Sequence, residues 1–235
     1  MKVKFSLMKI FNKKFPIMPL FTAIFISNIT HAQTYNIGFN GSSGPDFFYK
    51  GNRIQGTVGD IFQCALDVSD IQYHPRKLPV ARLLYQLKNG DIDVAVGLAK
   101  TEERDEIATY ASPLLTVPYF FISADPTLNT SSNFSNTKIA GLRHSNIINI
   151  IRKLDASPYE VDTFDQAIKM ATLGRVIGTI VPKTVLSHID KSELSQVNIF
   201  QIDKQEISFY ISKKSKYIKP LIAQINQGIS ECKKE

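Results

Sequence analysis

Arg104 stands inside the run Thr101-Glu102-Glu103-Arg104-Asp105-Glu106, a single guanidinium among four carboxylates. A guanidinium is planar and permanently charged, and its fork of N–H donors fits a carboxylate by two parallel hydrogen bonds, so this residue type suits anion capture. The run reads equally as a solvated, charged helix start in which the arginine only neutralises its neighbours. Other reactive chemistry is sparse. His31, His74, His144 and His188 have no partner at metal-ligand spacing, and Cys64 and Cys232 form no zinc pattern. The sequence holds no glycine-rich phosphate loop, serine nucleophile elbow or His-Glu helix motif. Asp91 with Asp93 offers two nearby carboxylates, which a solvated turn and the start of a strand explain without acid-base catalysis. No catalytic residue, metal or cofactor is assigned.

The first 32 residues read as a secretory leader. Lys2, Lys4, Lys9, Lys13 and Lys14 precede an apolar run from Phe15 to Ile29, and Thr30-His31-Ala32 then sets cleavage before Gln33. A retained membrane anchor is the competing reading, but the run is short for a span and Pro16 and Pro19 interrupt it. No cysteine follows the run directly, which argues against lipid attachment. Cleavage removes five lysines and no carboxylate, taking the formal charge from +7 to +2. The basic balance therefore belongs mostly to the leader. A nucleic-acid binder would need a basic face on the remainder, and Lys213-Lys214 and Lys233-Lys234 read as solvated helix ends. Export to an oxidising compartment makes Cys64 and Cys232 eligible for a disulfide. Two buried free thiols are the alternative, because bridging demands close Cα atoms.

Strand and helix signals alternate beyond the leader, the pattern of an α/β chain. Tyr35 to Phe39 reads as a strand, Phe47-Phe48-Tyr49 and Ile54 as a hairpin around Lys50 to Arg53, and Asp60 to Val68 as a helix. A strand near Ile71 to His74 and a helix over Val80 to Lys88, closed by Asn89-Gly90, lead into Asp93 to Leu98, an apolar strand suited to a buried parallel position. Thr116 to Ala124 is a long β-branched and aromatic run, read as a crossing segment between lobes. Asp125 to Thr137 is loop-like. Strands over Lys138 to Leu142, Tyr159 to Val161 and Val176 to Val181 then alternate with helices over Asn146 to Leu154 and Phe164 to Leu173, the second capped by Asp162 or Thr163. Pro182 fits the first turn of a short helix to Ile189. Val197 to Ile202 and Ile207 to Ile211 are two further strands, and Lys216 to Glu231 is a terminal amphipathic helix.

The stretch Gly90-Asp91-Ile92-Asp93, Thr101-Glu102-Glu103-Arg104 and Tyr110-Ala111-Ser112-Pro113 resembles the signature of the family 3 extracellular solute-binding proteins, two-lobed periplasmic receptors that collect polar amino acids for ABC transporters. The resemblance is topological over the rest of the chain from Ile37-Gly38 onward. It implies an α/β periplasmic binding protein type II fold, two lobes joined by two crossing segments. Lobe one is expected over residues 34–116 and 208–235, and lobe two with the hinge segments over 117–207. Arg104 then matches the arginine that holds the ligand carboxylate. Gly97 matches the strand-end position that presents backbone groups to the ligand, and Asn40 a first-lobe position that is often acidic. Ser145 and Asn146 start the helix whose N–H groups bind the same carboxylate, Ser145 being also an ordinary N-cap. The aromatic stacking position falls near Ser43, with Phe47, Phe48 and Tyr49 following as core residues or ligand contacts. Lys183 and Arg143 flank the cleft-forming positions.

Gly174-Arg175-Val176-Ile177-Gly178-Thr179-Ile180-Val181-Pro182 departs from the family pattern: Ile177 replaces an aspartate, and Pro182 occupies the position of the acidic residue that grips the ligand ammonium. Ala99 stands where the family has a hydroxyl. A buried ammonium without that carboxylate is costly, so the expected ligand is a small organic acid or a modified amino acid. The resemblance implies a periplasmic monomer serving an ABC transporter permease and no enzyme activity. Two other readings stay open on this fold. One is a cyclohexadienyl dehydratase-like enzyme with Glu102, Glu103 or Asp165 as its acid; the other is an accessory periplasmic protein that binds a partner such as a dehydrogenase.

Overall fold

The structure, a computed structural model, describes residues 33–40 and 46–233, with Lys191 and Glu193 as backbone only. The expected leader, Ser43 and Lys234 lie outside the described residues. Among the described residues no helix is long and apolar enough to cross a membrane.

In chain order the elements are β1 (Thr34–Asn40), β2 (Phe48–Lys50), β3 (Arg53–Gln55), α1 (Gly59–Val68), β4 (Gln72–Leu78), α2 (Val80–Asn89), β5 (Val94–Ala99), α3 (Glu102–Ile107), β6 (Ala108–Tyr110) and β7 (Leu115–Ser123). They continue with β8 (Lys138–Leu142), α4 (Ile147–Lys153), β9 (Ser157–Val161), α5 (Phe164–Thr172), β10 (Gly178–Pro182), α6 (Lys183–Leu186), α7 (Lys191–Leu194), β11 (Asn198–Ser212) and α8 (Ile218–Cys232). The main sheet runs β4-β1-β5-β11-β7-β10-β8-β9, with β6 also on β11. Parallel pairing holds β4, β1 and β5 at one end and β10, β8 and β9 at the other. Antiparallel β7 and β11 join the two ends.

The sequence explains these elements locally. Val80, Leu83 and Leu87 give α2 one buried face, and Gly90 closes it at φ 84°, a left-handed conformation that a residue without Cβ adopts readily. Thr163, not Asp162, caps α5 by accepting the Gln166 N–H at 3.2 Å, because Asp162 is turned to Arg143 at 3.0 Å. Pro75 fits β4 because that strand is the sheet edge. Pro182 is the residue before α6 and closes β10 rather than opening the helix.

The two strands expected after Val197 are one strand, β11, of 15 residues. The polar stretch Asp203 to Glu206 stays extended because it pairs with β7 from Tyr119 to Thr116; tertiary pairing overrides its low strand propensity. Helices α1 and α8 pack closely enough that a Cβ on Gly228 would lie 2.2 Å from the Ala65 carbonyl oxygen. Cys64 of α1 and Cys232 of α8 form a disulfide with Cα atoms 6.1 Å apart.

Candidate functional site

Thr101 starts α3 by accepting the Arg104 N–H at 3.3 Å, which fixes the rotation of this six-residue helix. Arg104 consequently faces inward and is 6 % exposed, whereas Glu102, Glu103 and Glu106 face solvent. Asp105 accepts a hydrogen bond from the Tyr210 hydroxyl at 2.9 Å, and Glu103 accepts from Asn149 at 3.3 Å. The two carboxylates adjacent to Arg104 in sequence thus have other partners. Among the described residues none lies within 4.0 Å of the Arg104 guanidinium. Its Nη1 donates to the Ala99 carbonyl at 2.6 Å. Burial pushes the Arg104 pKa below its ordinary value, against the opposing influence of Tyr210, Tyr119 and Glu103.

Arg104 lines a cavity of about 120 Å³ between the two ends of the sheet. Asn40, Gly97, Ser145 and Asn146 line the same cavity, so the structure brings together five residues separated by as many as 106 positions in the sequence. Gly97 has φ 76° and no partner in the β5–β11 register, which passes from Leu98↔Ser208 to Val96↔Phe209. This is a bulge with glycine in the left-handed position, and it turns the strand end toward the cavity. Asn146 Nδ2 donates to Gln205 Oε1 at 2.8 Å, tying the start of α4 to β11. Ser145 Oγ donates to the Leu142 carbonyl at 2.6 Å and accepts the Ile147 N–H at 3.3 Å, a bond inside the loop before α4. Asn146, rather than Ser145, occupies the cap position of this seven-residue helix.

Several candidates lie elsewhere. Arg143 pairs with Glu160 and Asp162 on the surface, and neither it nor Lys183 lines the cavity. Glu102, Glu103 and Asp165 also lie outside its lining. Phe47 contributes its ring to the wall, 3.5 Å from where a Cβ on Gly97 would sit, while Phe48 is exposed. Tyr119, Phe164 and Thr184 line the cavity and were not singled out from sequence. The alternation of Val117, Tyr119 and Phe121 as buried residues in β7 was the available signal for Tyr119. Burial pushes the Tyr119 phenol up to about 12, so its O–H remains protonated at neutral pH, and no other described residue hydrogen-bonds it. The site therefore combines one formal positive charge, neutral hydrogen-bonding groups and apolar walls. Such an arrangement can hold an anion.

No protein-family model matches the chain, and comparison with curated proteins finds no match. Solved structures do match. An ancestral arginine-binding protein bound to arginine is 17% identical over 87% of this chain and 95% of that one, with a TM-score of 0.67. The arginine-, lysine-, histidine-binding protein ArtJ from the thermophilic bacterium Geobacillus stearothermophilus is 14% identical over 85% and 89%, with a TM-score of 0.69. An ancestral amino acid-binding protein, a precursor of cyclohexadienyl dehydratase, is 16% identical over 86% and 90%, with a TM-score of 0.68. The fold is the periplasmic binding protein type II fold: mixed α/β, with two lobes joined by crossing segments.

Proposed function

We propose that the chain is an exported solute-binding protein that captures a small carboxylate-bearing ligand in the cavity around Arg104 and delivers it to an ABC transporter permease. The observation that carries this reading is a buried guanidinium with no carboxylate partner among the described residues. An ion so placed costs several kcal/mol unless a counter-charge completes it, and a ligand carboxylate supplies that charge with matching two-pronged geometry. The solved structures of the same fold are amino-acid-binding proteins by description, which agrees with a solute-binding role.

In this reading residues 1–32 are the export leader, residues 34–116 and 208–235 form lobe one, and residues 117–207 form lobe two. Arg104 holds the carboxylate, the Gly97 bulge offers backbone groups, and Asn40, Ser145 and Asn146 complete the polar wall. The ligand seats on one lobe, and bending of β7 and β11 brings the other over it, so that binding shifts an open and closed equilibrium. The nominated acids Glu102, Glu103 and Asp165 stand outside the cavity, which disfavours the dehydratase-like reading.

Mass spectrometry of ligand released from protein purified without denaturation tests the proposal, together with thermal shift against amino acids and carboxylates. The expected result is an acidic small molecule whose stabilising effect vanishes in Arg104→Gln. Capture of a periplasmic protein partner with no ligand-dependent shift from any small molecule would refute it.

A further inference from the structure

We infer that the cavity selects a monocarboxylate with an apolar, otherwise uncharged body and rejects the amino acid of the same skeleton. This inference rests on the reading of Arg104 as the carboxylate site. Charge balance carries the argument. Arg104 is the one ionised side chain in the cavity wall among the described residues, and no aspartate or glutamate lines it. The carboxylate of Asp46 is engaged by Thr57 at 2.6 Å and by Ser187 and His188 at 3.2 Å, and it does not form part of the lining. The segment 41–45 reads Gly-Ser-Ser-Gly-Pro and brings no ionisable side chain.

One guanidinium balances one carboxylate. A buried α-ammonium would have no anion to meet, and a second ligand carboxylate would have no cation. The rest of the wall is largely apolar, including Phe47, Val58, Leu142, Phe164, Val185 and Ile207. Neutral hydrogen-bonding side chains on the wall are the Tyr119, Thr184 and Ser145 hydroxyls and the Asn40 and Asn146 amides, the last directed to Gln205. A volume of about 120 Å³ accommodates on the order of ten non-hydrogen atoms, taking about 10–15 Å³ for a water-sized group. Pro182, on the wall and before α6, has no side-chain acceptor to offer an ammonium.

Pairs of probes that differ only at the α-position read this selectivity by calorimetric titration of the native protein: isocaproate against L-leucine, and hydrocinnamate against L-phenylalanine. Adipate serves as the two-carboxylate control. At least one acid should bind, at least about 100-fold more tightly than its amino acid, as expected for an unpaired buried charge. Adipate should bind weakly, and Arg104→Gln should abolish binding of the acid. Pro182→Asp places a carboxylate on the wall at a helix-cap position where aspartate is well tolerated, so folding should survive. It should improve L-leucine and weaken isocaproate, each by about tenfold or more. An amino acid that binds native protein as tightly as its acid, with binding lost in Arg104→Gln, would overturn the selectivity while leaving the Arg104 site standing. Unchanged preference in a folded Pro182→Asp protein would overturn it as well. Failure of every probe to bind, or binding indifferent to Arg104→Gln, would overturn both this inference and the site on which it rests.

Discussion

Replacing Arg104 by methionine, an uncharged chain of comparable reach, should make the ligand-free protein more stable, not less. In the arrangement described, the native guanidinium is 6 % exposed and has no carboxylate partner among the described residues, so the ligand-free protein either carries the penalty of a buried, uncompensated ion or gives up that arrangement to escape it. That penalty is several kcal/mol after relaxation. The substitution forfeits the hydrogen bond from Nη1 to the Ala99 carbonyl at 2.6 Å, a charge-assisted bond worth about 1.5–3 kcal/mol. The difference leaves Arg104→Met more stable by about 1–2 kcal/mol, or about 2–8 °C in Tm for a chain of this size. Urea unfolding followed by circular dichroism measures it, with equal slopes for both proteins required before midpoints are compared. A ligand at 100 times its Kd then adds about 2.7 kcal/mol to the native protein and nothing to the variant, inverting the order. A loss of about 3 kcal/mol or more in the ligand-free variant would refute the reasoning, because that is the signature of breaking a paired buried charge.

The disulfide between Cys64 and Cys232 spans 168 residues, and the chain-entropy account puts its contribution at about 5 kcal/mol. The Cys64→Ser, Cys232→Ser double variant should lose stability on that scale in urea, and a loss under about 1 kcal/mol would contradict the account. Gly228→Ala should destabilise despite the higher helix propensity of alanine, since its Cβ would lie 2.2 Å from the Ala65 carbonyl oxygen and 2.4 Å from Ser69 Oγ on a helix bonded covalently to its own. A loss of about 1–3 kcal/mol is expected, and a Tm equal to or above the native value would count against the packing. Burial raises the Asp46 pKa, but hydrogen bonds from Thr57, His188 and Ser187 outweigh it and bring the carboxyl below its ordinary value. A folded pKa below the unfolded one stabilises above the unfolded value and is lost as pH falls through the folded value. The stability gap between native protein and Asp46→Asn should therefore be full near neutrality and shrink as pH falls below the ordinary carboxylate range; a gap that widens in acid would sink this assignment.

Elements with strong internal pattern were legible before any coordinates. The helical spacing of Val80, Leu83 and Leu87 and the apolar run of β5 were readable from local periodicity, and the alternation of strands with helices pointed to an α/β fold. Much of what a distant partner decides was not legible. Asp203 to Glu206 looks like a turn by composition and is strand because β7 lies beside it. The bond from the Asn146 amide to Gln205, 59 positions away, has no local signature in the sequence. Arg104 was readable as a residue type but not as a buried one, since four adjacent carboxylates predict solvent; the Thr101 cap and the short α3 decide which side of the helix each faces. Tyr119 was missed because the alternation of Val117, Tyr119 and Phe121 marks a buried face without distinguishing packed core from cavity wall.

The same residue can make closure conditional on ligand. Exposed polar bonds join the two ends of the sheet from Asp46 to Ser187 and His188 and from Glu103 to Asn149. Exposed contacts of this kind contribute about 0–1 kcal/mol each. Closing an empty cavity over Arg104 removes water from its guanidinium without giving it an anion, which opposes those bonds by several kcal/mol. A bound carboxylate reverses the sign of that one contribution, and a swing of about 5.5 kcal/mol is enough to turn a 1:99 equilibrium into 99:1. On this argument Arg104→Met should populate the compact form without ligand. Small-angle X-ray scattering would show a smaller ligand-free radius of gyration for the variant than for the native protein. Equal ligand-free radii, with the native protein alone contracting when an acid binds, would mean that something other than the unpaired guanidinium holds the lobes apart.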